Sequence, residues 1–114
     1  MHELGLVFYI IKDVEKIAQE NKASKVSSVT IQIGEVSGVI DSYLLDCWKW
    51  AIQKTTYLQE AKLVIEPIKA ISICEDCKEE YETVKYAKIC PKCHSEHTHL
   101  VKGTEMMIKE IEAQ

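Results

Sequence analysis

Two Cys-x-x-Cys pairs constrain this chain more than any other feature. They read Cys74-Glu75-Asp76-Cys77, then a twelve-residue spacer, then Cys90-Pro91-Lys92-Cys93. Each pair can grip one side of a tetrahedral ion, and the spacer must fold back for the pairs to meet. This is zinc-ribbon logic, so Cys74, Cys77, Cys90 and Cys93 are the expected ligands of one Zn(II). Disulfide or redox chemistry is the competing use of such residues. A redox Cys-x-x-Cys needs only one pair, usually at a helix start in a strand–helix setting. Here the pairs come twice, among charged and turn-forming residues.

The rest of the composition agrees with metal-held thiolates in a reducing compartment. At 114 residues and 46% hydrophobic, the chain can build one core, with room for a small appendage. Its start, Met-His-Glu-Leu, lacks the basic head of a signal peptide, and the densest apolar stretch, Leu4 to Ile11, is too short to span a bilayer. Pairing four cysteines as disulfides would leave Cys47 over. A cytoplasmic protein without a membrane partner is therefore expected. The formal net charge is −4, and all 14 basic residues are lysine. Nucleic-acid readers favour arginine for bidentate contacts and stacking. Segment 69–102 balances six lysines against six acids, so no nucleic-acid partner is expected either.

Periodicity supplies the scaffold. Leu4, Val7, Phe8, Ile11, Val14 and Ala18 recur at helical spacing, with Ile10 and Ile17 widening the stripe, which predicts a helix to about Glu20. Val29, Ile31 and Ile33 alternate with polar residues from Lys25 to Gly34, the pattern of a half-buried strand. Gly34 and Gly38 bracket a turn. Asp41 or Ser42 is the expected cap of a second helix carrying Leu44, Leu45, Trp48, Ala51 and Ile52, with Cys47 a small core residue. Ala61 to Ile68 reads as a strand that Pro67 confines to an edge or end. Glu105 to Glu112 reads as a last strand. The expected architecture is α+β, a small mixed three-stranded sheet with two helices plus an inserted zinc-ribbon-like module. Residues 1–70 and 103–114 would form the core, and 71–102 the insert, too small to fold without its metal.

The first three residues offer a different donor set. The Met1 amine, the His2 amide nitrogen and the His2 imidazole can close two fused chelate rings. Nitrogen donors in that arrangement suit square-planar Ni(II) or Cu(II) better than tetrahedral Zn(II). Glu3 can add its amide or carboxylate. On residue type alone a histidine at position two is usually incidental, and Glu3 suits a helix N-terminus simply by its charge.

Taken together, the start Met1-His2-Glu3-Leu4, the run Gly34-Glu35-Val36-Ser37-Gly38-Val39, the paired knuckles and the ending Gly103-Thr104-Glu105-Met106 resemble the HypA/HybF family of nickel metallochaperones. The resemblance covers the whole chain. It implies Ni(II) at His2, with Met1 and Glu3 assisting, and Zn(II) at Cys74, Cys77, Cys90 and Cys93. It also implies delivery of nickel during maturation of NiFe-hydrogenase, and of urease in some members. The partners it implies are a companion nickel-binding GTPase, the hydrogenase large-subunit precursor and urease accessory proteins. Such a carrier needs no catalytic turnover and is not an enzyme. The chain departs from the family pattern in places: Lys78 and His94 stand where many members have glycine, and Thr104 and Met106 replace Arg and Leu.

Three of the four histidines, His94, His97 and His99, lie at the second knuckle. His94 and His97 are candidate additional or alternative metal ligands; His99 is expected to be an ordinary exposed residue. The alternative function, from another class, is a zinc-ribbon adaptor or nucleic-acid-binding module with no nickel role. A hydrolytic zinc enzyme is disfavoured because four cysteine ligands leave no position for water.

Overall fold

The structure, a computed structural model, describes residues 3–114. An 18-residue helix α1 (Glu3–Glu20) is followed by strand β1 (Val26–Gly34), helix α2 (Asp41–Ala51) and a 3-10 turn (Ile52–Lys54). Then come β2 (Lys62–Ile68), β3 (Ile71–Cys74), β4 (Glu80–Glu82), a single-turn helix α3 (Thr83–Tyr86), β5 (Thr98–Lys102) and β6 (Met106–Ala113). The described chain is thus α+β, with three α-helices and two three-stranded sheets of order β2-β1-β6 and β4-β3-β5.

The chain divides into two compact units. Of the described residues, one unit takes in the chain up to Gln32, Val39–Glu66 and Met107–Gln114. Its core is apolar. Val7, Ile10 and Val14 of α1, Val26, Val29 and Ile31 of β1, and Leu44 of α2 are fully or almost fully buried. At about 1.5–3 kcal/mol for each fully buried aliphatic side chain, this cluster is the main stabilising term of the unit. The buried stripe of α1 runs through Leu6, Ile10 and Ala18, so Leu4 and Phe8 are left exposed. Periodicity located the stripe but not its centre, because a broad apolar face admits more than one rotation about the helix axis. On α2, Leu44, Trp48 and Ala51 are buried while Leu45 and Trp50 are exposed, and Cys47 is only half-buried. Exposed Phe8 and Trp50 meet edge-to-face, centroids 6.4 Å apart, and Lys54 Nζ sits 4.2 Å from the Trp50 ring centre. The Trp48 indole donates to the Ala61 carbonyl at 2.9 Å, tying α2 to the residue before β2.

Helix α2 is capped neither by Asp41 nor by Ser42. Its N-cap is Ile40, in an extended conformation and without a side-chain cap bond. The carboxylate of Glu3 instead accepts from the Ile40 amide at 3.3 Å, so an acid from one helix serves the start of another. β2 lies at the edge of its sheet, where Pro67 removes no ladder bond from an inner strand.

The other unit takes in Ile33–Gly38 and Pro67–Met106. β3 pairs antiparallel with β4 (Ser72 opposite Tyr81) and with β5 (Ile73 opposite His99), and a bulge at Ile71/Ser72 breaks the second ladder. This sheet is not visible as a period in the sequence, since its strands are only three to five residues long. Buried Ser72 finds Thr83 at 2.7 Å between hydroxyl oxygens, and buried Tyr81 donates to the Ala87 carbonyl at 2.8 Å.

Candidate metal centre

Both knuckles follow one local plan. Cys74 donates from its amide to the Glu79 carbonyl, and its own carbonyl accepts from Lys78, each at 2.9 Å. Cys90 repeats this with Ser95 at 3.0 Å and His94 at 2.9 Å. Closing the turn so tightly drives the residue after each second cysteine into the left-handed region: Lys78 has φ 64° and His94 φ 61°. Glycine adopts this region without strain, whereas a side chain with a Cβ does so at a cost.

Folding the spacer back brings the knuckles together. Cys74 Sγ lies 3.5 Å from Cys93 Sγ, and Cys77 Sγ lies 3.6 Å from Cys90 Sγ. All four sulfurs lie within 4.8 Å of one another. Around an ion with metal–sulfur bonds of about 2.3 Å, a tetrahedron sets the sulfurs roughly 3.8 Å apart, so the arrangement fits Zn(II). The pairs are far beyond the ~2.05 Å of a disulfide, and all four thiols are free. Cys74 and Cys90 are fully buried, Cys77 is partly so and Cys93 is exposed.

Amide donors prepare the sulfurs for a cation. The Cys77 and Asp76 amides hold the Cys74 thiol below its ordinary range against burial. The Cys93 and Lys92 amides pull Cys90 down to about 7. The second cysteine of each pair goes the other way. The Glu79 amide lowers Cys77 and the Ser95 amide lowers Cys93, but burial and neighbouring sulfurs outweigh them, and Cys93 is pushed up to about 12. Four sulfurs this close cannot all ionise on their own; a dication among them removes the conflict. Four protein ligands close a tetrahedral sphere, so a metal here supports structure and leaves no open position for substrate.

The histidines stand outside this cluster. Among the described residues, the cysteines are the one group of metal-ligating side chains that converges. His97 Nδ1 is 3.2 Å from Asp76 Oδ2, and His99 Nδ1 is 3.0 Å from Glu75 Oε1. Ser95 Oγ also donates to Asp76, and its hydroxyl is the first cause of that carboxyl's lowered pKa, with His97 contributing. The two acids between Cys74 and Cys77 therefore hold the segment that follows the second knuckle. The Glu75 amide adds a bond to the His97 carbonyl at 2.8 Å. His99, read from sequence as an ordinary exposed residue, is exposed and takes part in this bracing.

The glycine-bearing motifs have a structural use that periodicity could not reveal. The Gly34 amide donates to the Glu105 carbonyl at 2.7 Å, and the Val36 amide to the Gly103 carbonyl at 2.9 Å. A Cβ on Gly34 would stand 2.0 Å from the Gly103 oxygen. Glu105 Oε1 accepts from the Gly103 and Thr104 amides at 2.6 and 2.8 Å, and the Gly103 bond is the main cause of its lowered pKa. Glu35 accepts from the Ala70 amide at 2.9 Å. Both glutamates thus serve backbone donors in a clasp joining 33–38, 68–70 and 103–105. No short motif signals this, because its members are far apart in sequence.

Of the amino-terminal candidates, Met1 and His2 lie outside the described residues. Glu3 is the first residue of α1, with one carboxylate oxygen on the Ile40 amide. No helix among the described residues is long and apolar enough to cross a membrane.

Comparison with known proteins places these features in one family. Residues 1–113 match the family described as "Hydrogenase/urease nickel incorporation, metallochaperone, hypA". The hydrogenase maturation factor HypA of Aquifex aeolicus (strain VF5) is 32% identical over 114 residues, covering 100% of this chain and 98% of that protein. HypA of Francisella philomiragia is 35% identical over 112 residues, covering 97% of each. The solution structure of the Ni metallochaperone HypA from Helicobacter pylori superposes with a TM-score of 0.73 at 28% identity, over 99% of this chain and 97% of that one. A whole-length match of sequence and fold, with four cysteines placed for zinc, leaves one conclusion: the chain belongs to the HypA family of hydrogenase/urease nickel-incorporation metallochaperones, a family of metal carriers and not of enzymes.

Proposed function

We propose that this chain carries Ni(II) on Met1, His2 and Glu3 and releases it during maturation of NiFe-hydrogenase or urease. The whole-length family match is the observation that carries this reading. The separation of donor types supports it. Thiolates that close a sphere around zinc hold their metal, whereas a carrier must let go of its cargo. Nitrogen donors at a chain end suit a square-planar ion and exchange. Glu3 opens a helix of 18 residues, which gives the adjoining donors a rigid base. One Glu3 oxygen serves the Ile40 amide, and in this reading the carboxylate also assists nickel or a partner.

In this proposal Zn(II) occupies Cys74, Cys77, Cys90 and Cys93 and stays there. Residues 71–102 act as a zinc module inserted into a nickel-binding core of 1–70 and 103–114. The partners are a companion nickel-binding GTPase and the hydrogenase large-subunit precursor, with urease accessory proteins in the urease branch, all in the cytoplasm. His94 and His97 touch the nickel only if the module meets the terminus during transfer. The test compares Ni(II) binding by calorimetry for the native chain, for His2→Ala, and for a chain with one residue added before Met1. Both altered chains should lose binding, because the first removes the imidazole and the second displaces the amine. Equal binding by all three would sink the amino-terminal site. Cys74→Ser should lower zinc content without removing those nitrogen donors.

A further inference from the structure

A groove of about 310 Å³ runs beside strand β2. Buried Trp48, Ile52 and Leu63 line it together with exposed Leu45 and Val64. Lys49 and Lys62 are the charged residues on its lining. β2 lies at the end of the order β2-β1-β6, so among the described residues one side of its backbone has no neighbouring strand in that sheet. The Trp48 indole bond to Ala61, 2.9 Å, holds α2 and the start of β2 at a fixed spacing. The groove is therefore built into the fold.

We propose that this edge receives an extended, acidic segment of a partner protein as an added β-strand. An unpaired strand edge offers backbone donors and acceptors, which an extended chain satisfies and a helix does not. The apolar groove beside it gives one bulky aliphatic side chain a place to enter. Lys49 and Lys62 set the sign of the flanking residues, so glutamate or aspartate belongs on either side of that anchor. A second copy of this chain is a poorer occupant. It would bring its own Lys49 and Lys62, while the Glu66 carboxylate in its β2 is already engaged by Lys109 at 2.8 Å. The carboxy-terminal strand β6 is no candidate either, since it is paired at the opposite edge of the same sheet. This surface stands whether or not the amino terminus carries nickel.

The experiment titrates the zinc-loaded full chain with two synthetic peptides about six residues long, a usual strand length. Each alternates valine with charge around a central leucine; one carries glutamates and the other lysines. Nuclear magnetic resonance follows the backbone amides and the Trp48 indole. The glutamate peptide should bind about tenfold more tightly than the lysine peptide, the effect of two rim ion pairs. Its shifts should centre on Lys62–Ile68 and Trp48. The double variant Lys49→Glu/Lys62→Glu should reverse the preference. Leu45→Gln, at an exposed helix position, should weaken both peptides without loss of melting temperature. Equal binding of the two peptides, or shifts centred elsewhere, would overturn the proposal. So would a dimer of the peptide-free protein that Leu45→Gln dissociates, since the edge would then belong to a second copy.

Discussion

Lys78 and His94 occupy left-handed backbone positions that glycine would adopt without strain, with φ 64° and 61°. A residue with a Cβ in that region costs about 1–2 kcal/mol. Glycine gives back about 0.4–1 kcal/mol through the looser unfolded chain. The net expectation is that Lys78→Gly and His94→Gly each stabilise the metal-bound knuckles by about 0.5–1 kcal/mol, or about 1–2 kcal/mol together if they act independently. If the knuckles fold on a bound zinc as proposed, that energy appears in zinc affinity, a gain of about 5–30-fold for the double variant. Competition with a chromophoric chelator measures it, and thermal unfolding of the zinc-loaded protein provides a second reading. Lys78→Ala and His94→Ala are the controls, since they remove the side chain but keep the Cβ. If alanine matches glycine, backbone strain is not the cause. If both His94 variants lose zinc affinity, the imidazole is a metal ligand and the four sulfurs do not complete the sphere by themselves.

Three further substitutions test the scaffold. Trp48→Phe removes a buried donor and leaves the Ala61 carbonyl without its 2.9 Å partner, so a loss of about 1–3 kcal/mol is expected in denaturant unfolding; a loss below about 0.5 kcal/mol would mean that water reaches that carbonyl. Gly34→Ala and Gly5→Ala should move the melting temperature in opposite directions. The first forces a methyl into the Gly103 backbone and should cost about 1–3 kcal/mol or more, while the second meets nothing within 4 Å inside a helix and should gain about 0.5–1 kcal/mol.

The proposed metal chemistry divides by donor type. The amides of Asp76 and Cys77, and of Lys92 and Cys93, point at the sulfurs that open the two knuckles, and these are the two cysteines that are fully buried. That gives the centre a protected inner side, with Cys93 at its exposed rim. Such a centre is suited to bracing β3 and the chain around it, and a cargo ion is better served by donors that solvent and partners can reach.

Local chemistry made much of this legible without a structure. Cysteine spacing pointed to the cluster of four sulfurs, since two short pairs and a spacer leave few ways to complete a tetrahedron. Periods of 3.6 and 2 located α1, β1 and α2, the apolar run Leu63-Val64-Ile65 located β2, and the strand at the carboxy terminus followed from its length and the preceding glycine. Rotation of each helix about its axis was decided only by packing, which turned Leu4, Phe8 and Leu45 outward although each fits its stripe. The cap of α2 came from Glu3, which lies 37 residues away in the chain. Likewise the partners of Glu35 and Glu105, the pairing of His97 and His99 with Asp76 and Glu75, and the sheet of β3, β4 and β5 depend on contacts between distant segments. Their residues carry no short-range pattern, so only the tertiary fold, by bringing those donors and acceptors within reach, assigned them.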